Sequence, residues 1–315
     1  MSFAFGQATL FHLVDIARFS RVMRTTGKSL QLVVLGADIH AGHRVLLRTA
    51  KQRGVAVVAV ELVDEVGGHA VTSQNPAPQN LAQQHPAPQN PAPQQAVHDK
   101  PAELRPEIME ILREAEVDAV VPYTRAPGHT ESLWPQGLRT QITPPDGLED
   151  SAELAQALTT HLSLLHAVAP ETIIAGEKDY ELLLRLQQAI TDLHLDVKVQ
   201  GVPTVRMPDG LAMSLRNTAI PETDREKALA LSAALTAGAH VAERGAEAVL
   251  STAADVLRAA GVQPDYLELR ARDFGPAPEE GDARLLVAAT FGGVRLVDNV
   301  GVPVGIGFRN LDGDN

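Results

Sequence analysis

The stretch Thr172-Ile173-Ile174-Ala175-Gly176-Glu177-Lys178-Asp179-Tyr180 decides how the rest of the chain is read. Its first four residues are a short, largely β-branched apolar run of the kind buried in a parallel sheet. Beyond it Leu183, Leu186, Ile190 and Leu193 recur at helical spacing, and the helical pattern ends near Asp196. A glycine between strand and helix lets the backbone turn sharply. The first amides of the helix have no intrahelical partners, and the helix dipole favours an anion beside them. Lys178 adds a mobile positive charge, and Asp179 a carboxylate suited to a ribose hydroxyl or a metal. The same spacing also fits a helix that is merely capped. Its meaning depends on His40-Ala41-Gly42-His43 upstream and Met213-Ser214-Leu215-Arg216 downstream.

Working outward towards the N-terminus, Leu10 to Thr26 reads as an amphipathic helix ending at Gly27, and Leu30 to Leu35 as a buried strand closed by Gly36. His43 to Arg53 carries Leu46, Leu47 and Ala50 on one face and stops at Gly54, as at a helix C-cap. Val55 to Val63 is an almost unbroken apolar run, as expected of a strand covered on both faces. Strand, turn, helix, strand in that order make a parallel crossover unit.

Composition changes completely at about residues 72–97, where Pro, Gln and Asn alternate in a repeated Asn-Pro-Ala-Pro-Gln pattern. Such a segment cannot build a ladder or a core, so it is expected to be a flexible, partly polyproline-like insert. The α/β pattern resumes with a helix over Glu103 to Glu116, a strand over Val117 to Val121, and a helix over Ser151 to Val168 that leads to the central strand. Tyr123 to Gly147 is loop-rich and holds the single tryptophan, Trp134. Another strand spans Val197 to Val205. After Met207-Pro208-Asp209-Gly210 come Ala-rich helices (Thr223 to Arg244, Ala246 to Ala260), a strand at Tyr266 to Arg270, and a hairpin of Arg284 to Phe291 and Val294 to Val300 around Gly292-Gly293. The reading is therefore an α/β parallel-sheet domain over 1–204 followed by a smaller C-terminal α+β domain over 205–315.

At 315 residues the chain is long enough for two domains and a large core. A net charge of -12 with no basic run disfavours nucleic acid as a partner, although a local basic pocket can still hold a small anion. The absence of cysteine excludes disulfides, thiolate zinc sites and a cysteine nucleophile, and it fits a reducing compartment. No signal pattern and no run of 18 apolar residues is present, so neither export nor a membrane span is expected. A soluble, cytoplasmic protein is the expectation.

His40 and His43, three residues apart at a helix N-terminus, can hydrogen-bond phosphate oxygens and stabilise charge as a pyrophosphate leaves. Gly42 would allow a nucleotide to approach closely. The alternatives are a cap with solvated histidines, or a metal pair, for which no third ligand follows at useful spacing; no metal ligands are assigned. Ser214 and Arg216, after the Pro208-Asp209-Gly210 turn, suit the β- and γ-phosphates of a nucleotide, or form an ordinary polar loop.

Together the three motifs resemble the pantothenate synthetase (pantoate–β-alanine ligase) family of the nucleotidyltransferase superfamily. The resemblance is carried by Ser20 to Gly27, His40 to His43, Gly176 to Tyr180, Leu195 to Val197, Gly201-Val202-Pro203-Thr204-Val205-Arg206, Asp209 to Ser214, Leu231 to Ala237 and Asp265 to Arg270. It implies a Rossmann-like nucleotide-binding domain, a homodimer, and a two-step, AMP-forming ligation. ATP and pantoate would give an acyl adenylate and pyrophosphate, and the amine of β-alanine would then displace AMP. By position, His43 would be the catalytic histidine, aided by His40 and Lys178. Gly42, Gly176, Lys178, Asp179, Val205, Met213, Ser214 and Arg216 would hold ATP, with Mg²⁺ neutralising its phosphates.

The departures fall on the acid side. The family's Pro-Thr-Met-Gly-Ala-Leu is replaced by Val34-Leu35-Gly36-Ala37-Asp38-Ile39, and its Asn-Pro-x-Gln-Phe by Glu61-Leu62-Val63-Asp64-Glu65, without glutamine. Leu182 stands where the second pantoate-binding glutamine belongs, and Leu215 replaces a serine. Asp150 and Glu153 fall where an Arg-Pro-x-His segment is expected. Each amide lost from a buried ligand costs about 1–3 kcal/mol. Weak turnover of pantoate follows from this, with two alternatives: a diverged paralogue that adenylates another carboxylic acid, or a degenerate homologue that binds ATP.

Overall fold

A computed structural model describes residues 3–62, 104–127, 129–137 and 140–306. The Pro/Gln insert expected from the sequence lies outside the described residues. In chain order the elements are β1 (Thr9–Leu10), α1 (Leu13–Thr25), β2 (Leu30–Leu35), α2 (Ala41–Arg53), β3 (Val55–Glu61), α3 (Pro106–Glu114), β4 (Ala119–Tyr123), α4 (Ser151–Val168), β5 (Thr172–Gly176), α5 (Tyr180–Asp192) and β6 (Lys198–Val202). There follow α6 (Glu222–His240), α7 (Ala246–Ala259), β7 (Tyr266–Ala271), β8 (Gly281–Phe291) and β9 (Val294–Val304).

The first six strands form one parallel sheet in the order β1-β4-β3-β2-β5-β6. The apolar runs read from the sequence become its centre, and Val55 to Val60 are all buried. α2 and α3 cover one face through Leu46, Leu47, Ile108 and Leu112. α1, α4 and α5 cover the other through Ile16, Phe19, Leu158, Leu165, Leu186 and Ile190. From β2 the chain steps outward through β3 to β4, then returns to place β5 on the other side of β2. That reversal opens a crevice beyond the carboxyl ends of β2 and β5, where ligands of such sheets bind. The sequence-read helix from Leu10 starts later, at Leu13, because Thr9 and Leu10 pair with β4 as a two-residue edge strand.

The C-terminal part is a three-stranded antiparallel sheet, β7-β8-β9, packed on α6 and α7 through Leu231, Leu235, Val249, Leu257, Leu285 and Val287. Its hairpin is longer than the sequence indicated, running from Gly281 to Val304 around Gly292 and Gly293. Both turn glycines have positive φ, 55° and 85°, the backbone shape of a tight hairpin. Among the described residues no helix is long and apolar enough to cross a membrane.

Candidate active site

His40 is the N-cap of α2, and its Nδ1 accepts a hydrogen bond from the Gly42 amide at 3.1 Å. The His43 Nδ1 in turn accepts from the His40 amide at 3.3 Å, so the two rings form a reciprocal cap. They stack, with centroids 3.8 Å apart and 16° between planes. Gly42 leaves room for the His40 ring to fold back over the helix start. A Cβ at that position would lie 2.8 Å from the His40 Cε1, inside the folded-back ring.

Burial lowers the pKa of both rings. For His40 the nearby Lys178 ammonium adds to the effect; for His43 the neighbouring His40 does, and its value falls to about 4. Both imidazoles are therefore neutral at pH 7. Because backbone amides occupy both Nδ1 atoms, the remaining proton of each ring sits on Nε2. The N-terminal end of α2 thus presents two neutral imidazoles, of which the His43 ring is also hydrogen-bonded to the Asp38 backbone.

The strand–glycine–helix stretch faces it from β5. A Cβ at Gly36 or Gly176 would meet nothing within 4 Å, so the ends of β2 and β5 floor an open space. Asp179 is the N-cap of α5 but makes no cap hydrogen bond, which leaves its carboxylate available. Among the described residues Lys178 has no ion-pair partner. The loop backbone is fixed from the C-terminal sheet. Asn299 on β9 donates from Nδ2 to the carbonyls of Glu177 (3.0 Å) and Lys178 (2.8 Å). Arg284 on β8 donates to Asn299 Oδ1 at 2.7 Å and to Glu177 at 2.9 Å, and lies 4.5 Å over the Tyr180 ring.

The third stretch reaches the same crevice. Met213 donates its amide to the Val205 carbonyl at 2.8 Å, closing the turn through Asp209 and Gly210. Arg206 anchors that turn by a two-pronged contact to buried Asp298, at 2.6 and 3.0 Å. The Met213 side chain comes within 4.0 Å of the position a Gly42 Cβ would take. Ser214 is engaged locally, accepting from the Arg216 amide at 3.2 Å, and Arg216 lies exposed, donating to the Arg295 carbonyl at 3.4 Å. His40, His43, Lys178 and Asp179 act on one another electrostatically, Met213 approaches Gly42, and Val205 is held to Met213; Ser214 and Arg216 make only the local contacts given above.

Several groups escaped sequence reading. Asn299, Arg284 and Asp298 come from the C-terminal hairpin, and no local pattern marks them. Asp150 and Glu153 take no part in the crevice by hydrogen bonding. Asp150 caps α4 by accepting from the amides of Ala152 and Glu153. Buried Glu181 instead braces the loop before α4, accepting from the amides of Leu148 (2.9 Å) and Glu149 (3.0 Å).

A parallel sheet with two helix N-termini at its switch point, one capped by neutral imidazoles and the other uncapped beside a lysine, defines an α/β protein of the nucleotide-binding type. The chain matches the family model for pantoate-beta-alanine ligase over residues 102–301. It is 40% identical over 320 residues to the pantothenate synthetase of Corynebacterium jeikeium, covering 99% of this chain and 95% of that protein. The pantothenate synthetase of Rhodococcus jostii is 39% identical over 317 residues, 98% and 92% of the two chains. The crystal structure of pantothenate synthetase from Thermus thermophilus aligns with TM-score 0.69 at 25% identity, covering 93% of this chain and 98% of that one. The chain belongs to the pantoate–β-alanine ligase family.

Proposed function

We propose that the protein joins pantoate to β-alanine at the expense of ATP, through an acyl adenylate, releasing pyrophosphate and then AMP. The observation that carries this is the stacked pair of neutral imidazoles, His40 and His43, at the start of α2 beside Lys178, which suits an anion without placing a second cation there. In the first step a carboxylate oxygen of the acid attacks the α-phosphorus, and the bond to the pyrophosphate oxygen breaks. Charge builds on that leaving oxygen, where the imidazoles and the Lys178 ammonium stabilise it. In the second step the neutral amine of β-alanine attacks the acyl carbon. AMP leaves with the electron pair of the acyl–oxygen bond, and the amine proton passes to solvent.

Gly42 and Gly176 leave room for the nucleotide backbone, Asp179 suits the ribose hydroxyls, and the turn from Val205 to Met213 closes the adenosine side, with Ser214 and Arg216 towards the outer phosphates. Among the described residues no group of three or more His, Asp or Glu is set to hold a metal. A magnesium ion would arrive with the nucleotide phosphates. It would neutralise phosphate charge. The division at residues 204/205, a homodimer and a cytoplasmic location belong to the same proposal.

The test is product formation from ATP, pantoate and β-alanine, with AMP, pyrophosphate and pantothenate appearing in equal amounts. His43→Gln should abolish it. Release of ADP and phosphate instead, or no product with pantoate, would refute the reading.

A further inference from the structure

The Glu61 carboxylate ends β3 on the carboxyl edge of the sheet, one strand from the crevice floor. Strand alternation places it on the face covered by α1, α4 and α5, with Val57, Ala59 and Tyr123, since those residues belong to that core. Leu182 of α5 packs against the same core. Two residues past β4, Arg125 reaches back and pairs with Glu61 at 2.6 Å. The pair is half-buried, with side chains 25% and 32% exposed, rather than lying free on the surface.

Its position follows from the register. Val60 lies beside Leu35 and Val33 beside Ile174, so Glu61 adjoins Gly36, and Gly36 is level with Glu177. Glu61 thus stands two strand spacings, about 10 Å, from the lysine loop across the open floor at Gly36. An acid whose carboxylate lay beside Lys178 would have its far end directed across this floor towards the ion pair.

We infer that Glu61 and Arg125 recognise the hydroxyl-bearing end of the acid substrate. A hydroxyl is both donor and acceptor, and this pair answers both: its proton goes to the Glu61 carboxylate and its lone pair to an Arg125 N–H. An unsubstituted acid leaves two charged groups facing an apolar end, and a second carboxylate there meets Glu61. The pocket therefore selects short hydroxy acids. This rests on the ligase reading for its substrate class, but not on turnover.

The experiment compares pantoate with the analogue in which its terminal hydroxyl is replaced by hydrogen, in the parent, in Glu61→Leu/Arg125→Met, and in Glu61→Gln. In the parent, kcat/KM for pyrophosphate release should favour pantoate by about 10- to 100-fold, the worth of one charge-assisted hydrogen bond. The double variant should lose that preference through a raised KM for pantoate, keep its KM for ATP, and handle the deoxy acid as the parent does. Glu61→Gln should recover part of the preference. Equal use of both acids by the parent, or full preference kept by the double variant, would overturn the inference. Calorimetry with pantoate and a non-hydrolysable ATP analogue separates the two readings. Pantoate binding that the double variant loses supports the inference even if no pyrophosphate is released; binding that it keeps, or no binding by the parent, overturns it.

Discussion

Replacing Asn299 with alanine should both destabilise the fold and weaken nucleotide binding, because this one amide ties the C-terminal sheet to the lysine loop. Asn299 is 4% exposed. Its Nδ2 satisfies the carbonyls of Glu177 and Lys178, and its Oδ1 receives the Arg284 guanidinium. Truncation leaves two carbonyls and one charged donor without that partner. An unsatisfied buried group costs about 1–3 kcal/mol. Arg284 keeps Glu177 and Tyr180, so most of the loss falls on the two carbonyls, for about 3 kcal/mol in all. At roughly 2–4 °C per kcal/mol, the melting temperature should fall by about 6–12 °C. The freed loop no longer holds Lys178 in place, so KM for ATP should rise about 10-fold while the secondary structure persists. Thermal unfolding followed by circular dichroism, with ATP titration on the folded variant, checks both. A melting point within about 2 °C of the parent and an unchanged KM would show that the hairpin does not set the loop.

Three further outcomes follow from the site. Lys178→Ala should weaken ATP binding by a charge-assisted contact, about 1.5–3 kcal/mol, read by calorimetry; undiminished affinity would remove Lys178 from the phosphates. The half-buried neutral His43 makes stability depend on pH: its folded pKa of about 4 lies below the ordinary 6.5, so its contribution is complete above 6.5 and is lost as pH falls through 4. That loss is about 3 kcal/mol, and urea unfolding from pH 7 to 4 should show a flatter profile in His43→Gln than in the parent. Gly147→Ala should destabilise by about 2–4 kcal/mol, because its Cβ would fall 1.6 Å from Glu181 Oε1 and dislodge the carboxylate from the amides it binds. A melting temperature equal to the parent's would mean that the loop before α4 moves aside at no cost.

The sequence by itself determined the elements and their kind. The apolar runs at Leu30, Val55 and Thr172 are long enough to declare buried strands, and the spacing of Leu183, Leu186 and Ile190 declares α5, because period is a local property of the chain. It also placed Gly42, His43 and Lys178 at helix starts, where free amides draw anions whatever the surrounding fold. It missed β1, since two residues cannot display a period, and it began α1 too early. That start is set by the Glu131 carboxylate, which receives the Leu13 amide at 2.9 Å across 118 residues of chain. Only the tertiary structure decided what meets at the crevice. The order β1-β4-β3-β2-β5-β6 sets Glu61 beside Arg125, and the docking of β8 and β9 sets Arg284 and Asn299 over Glu177 and Lys178. The same holds for the histidines. Their motif can be read as cap, metal pair or phosphate ligand, and it is their mutual stacking, their burial and the amides on both Nδ1 atoms that fix them as neutral imidazoles. Protonation and partnership depend on distances across the fold, and no local pattern of residues carries those.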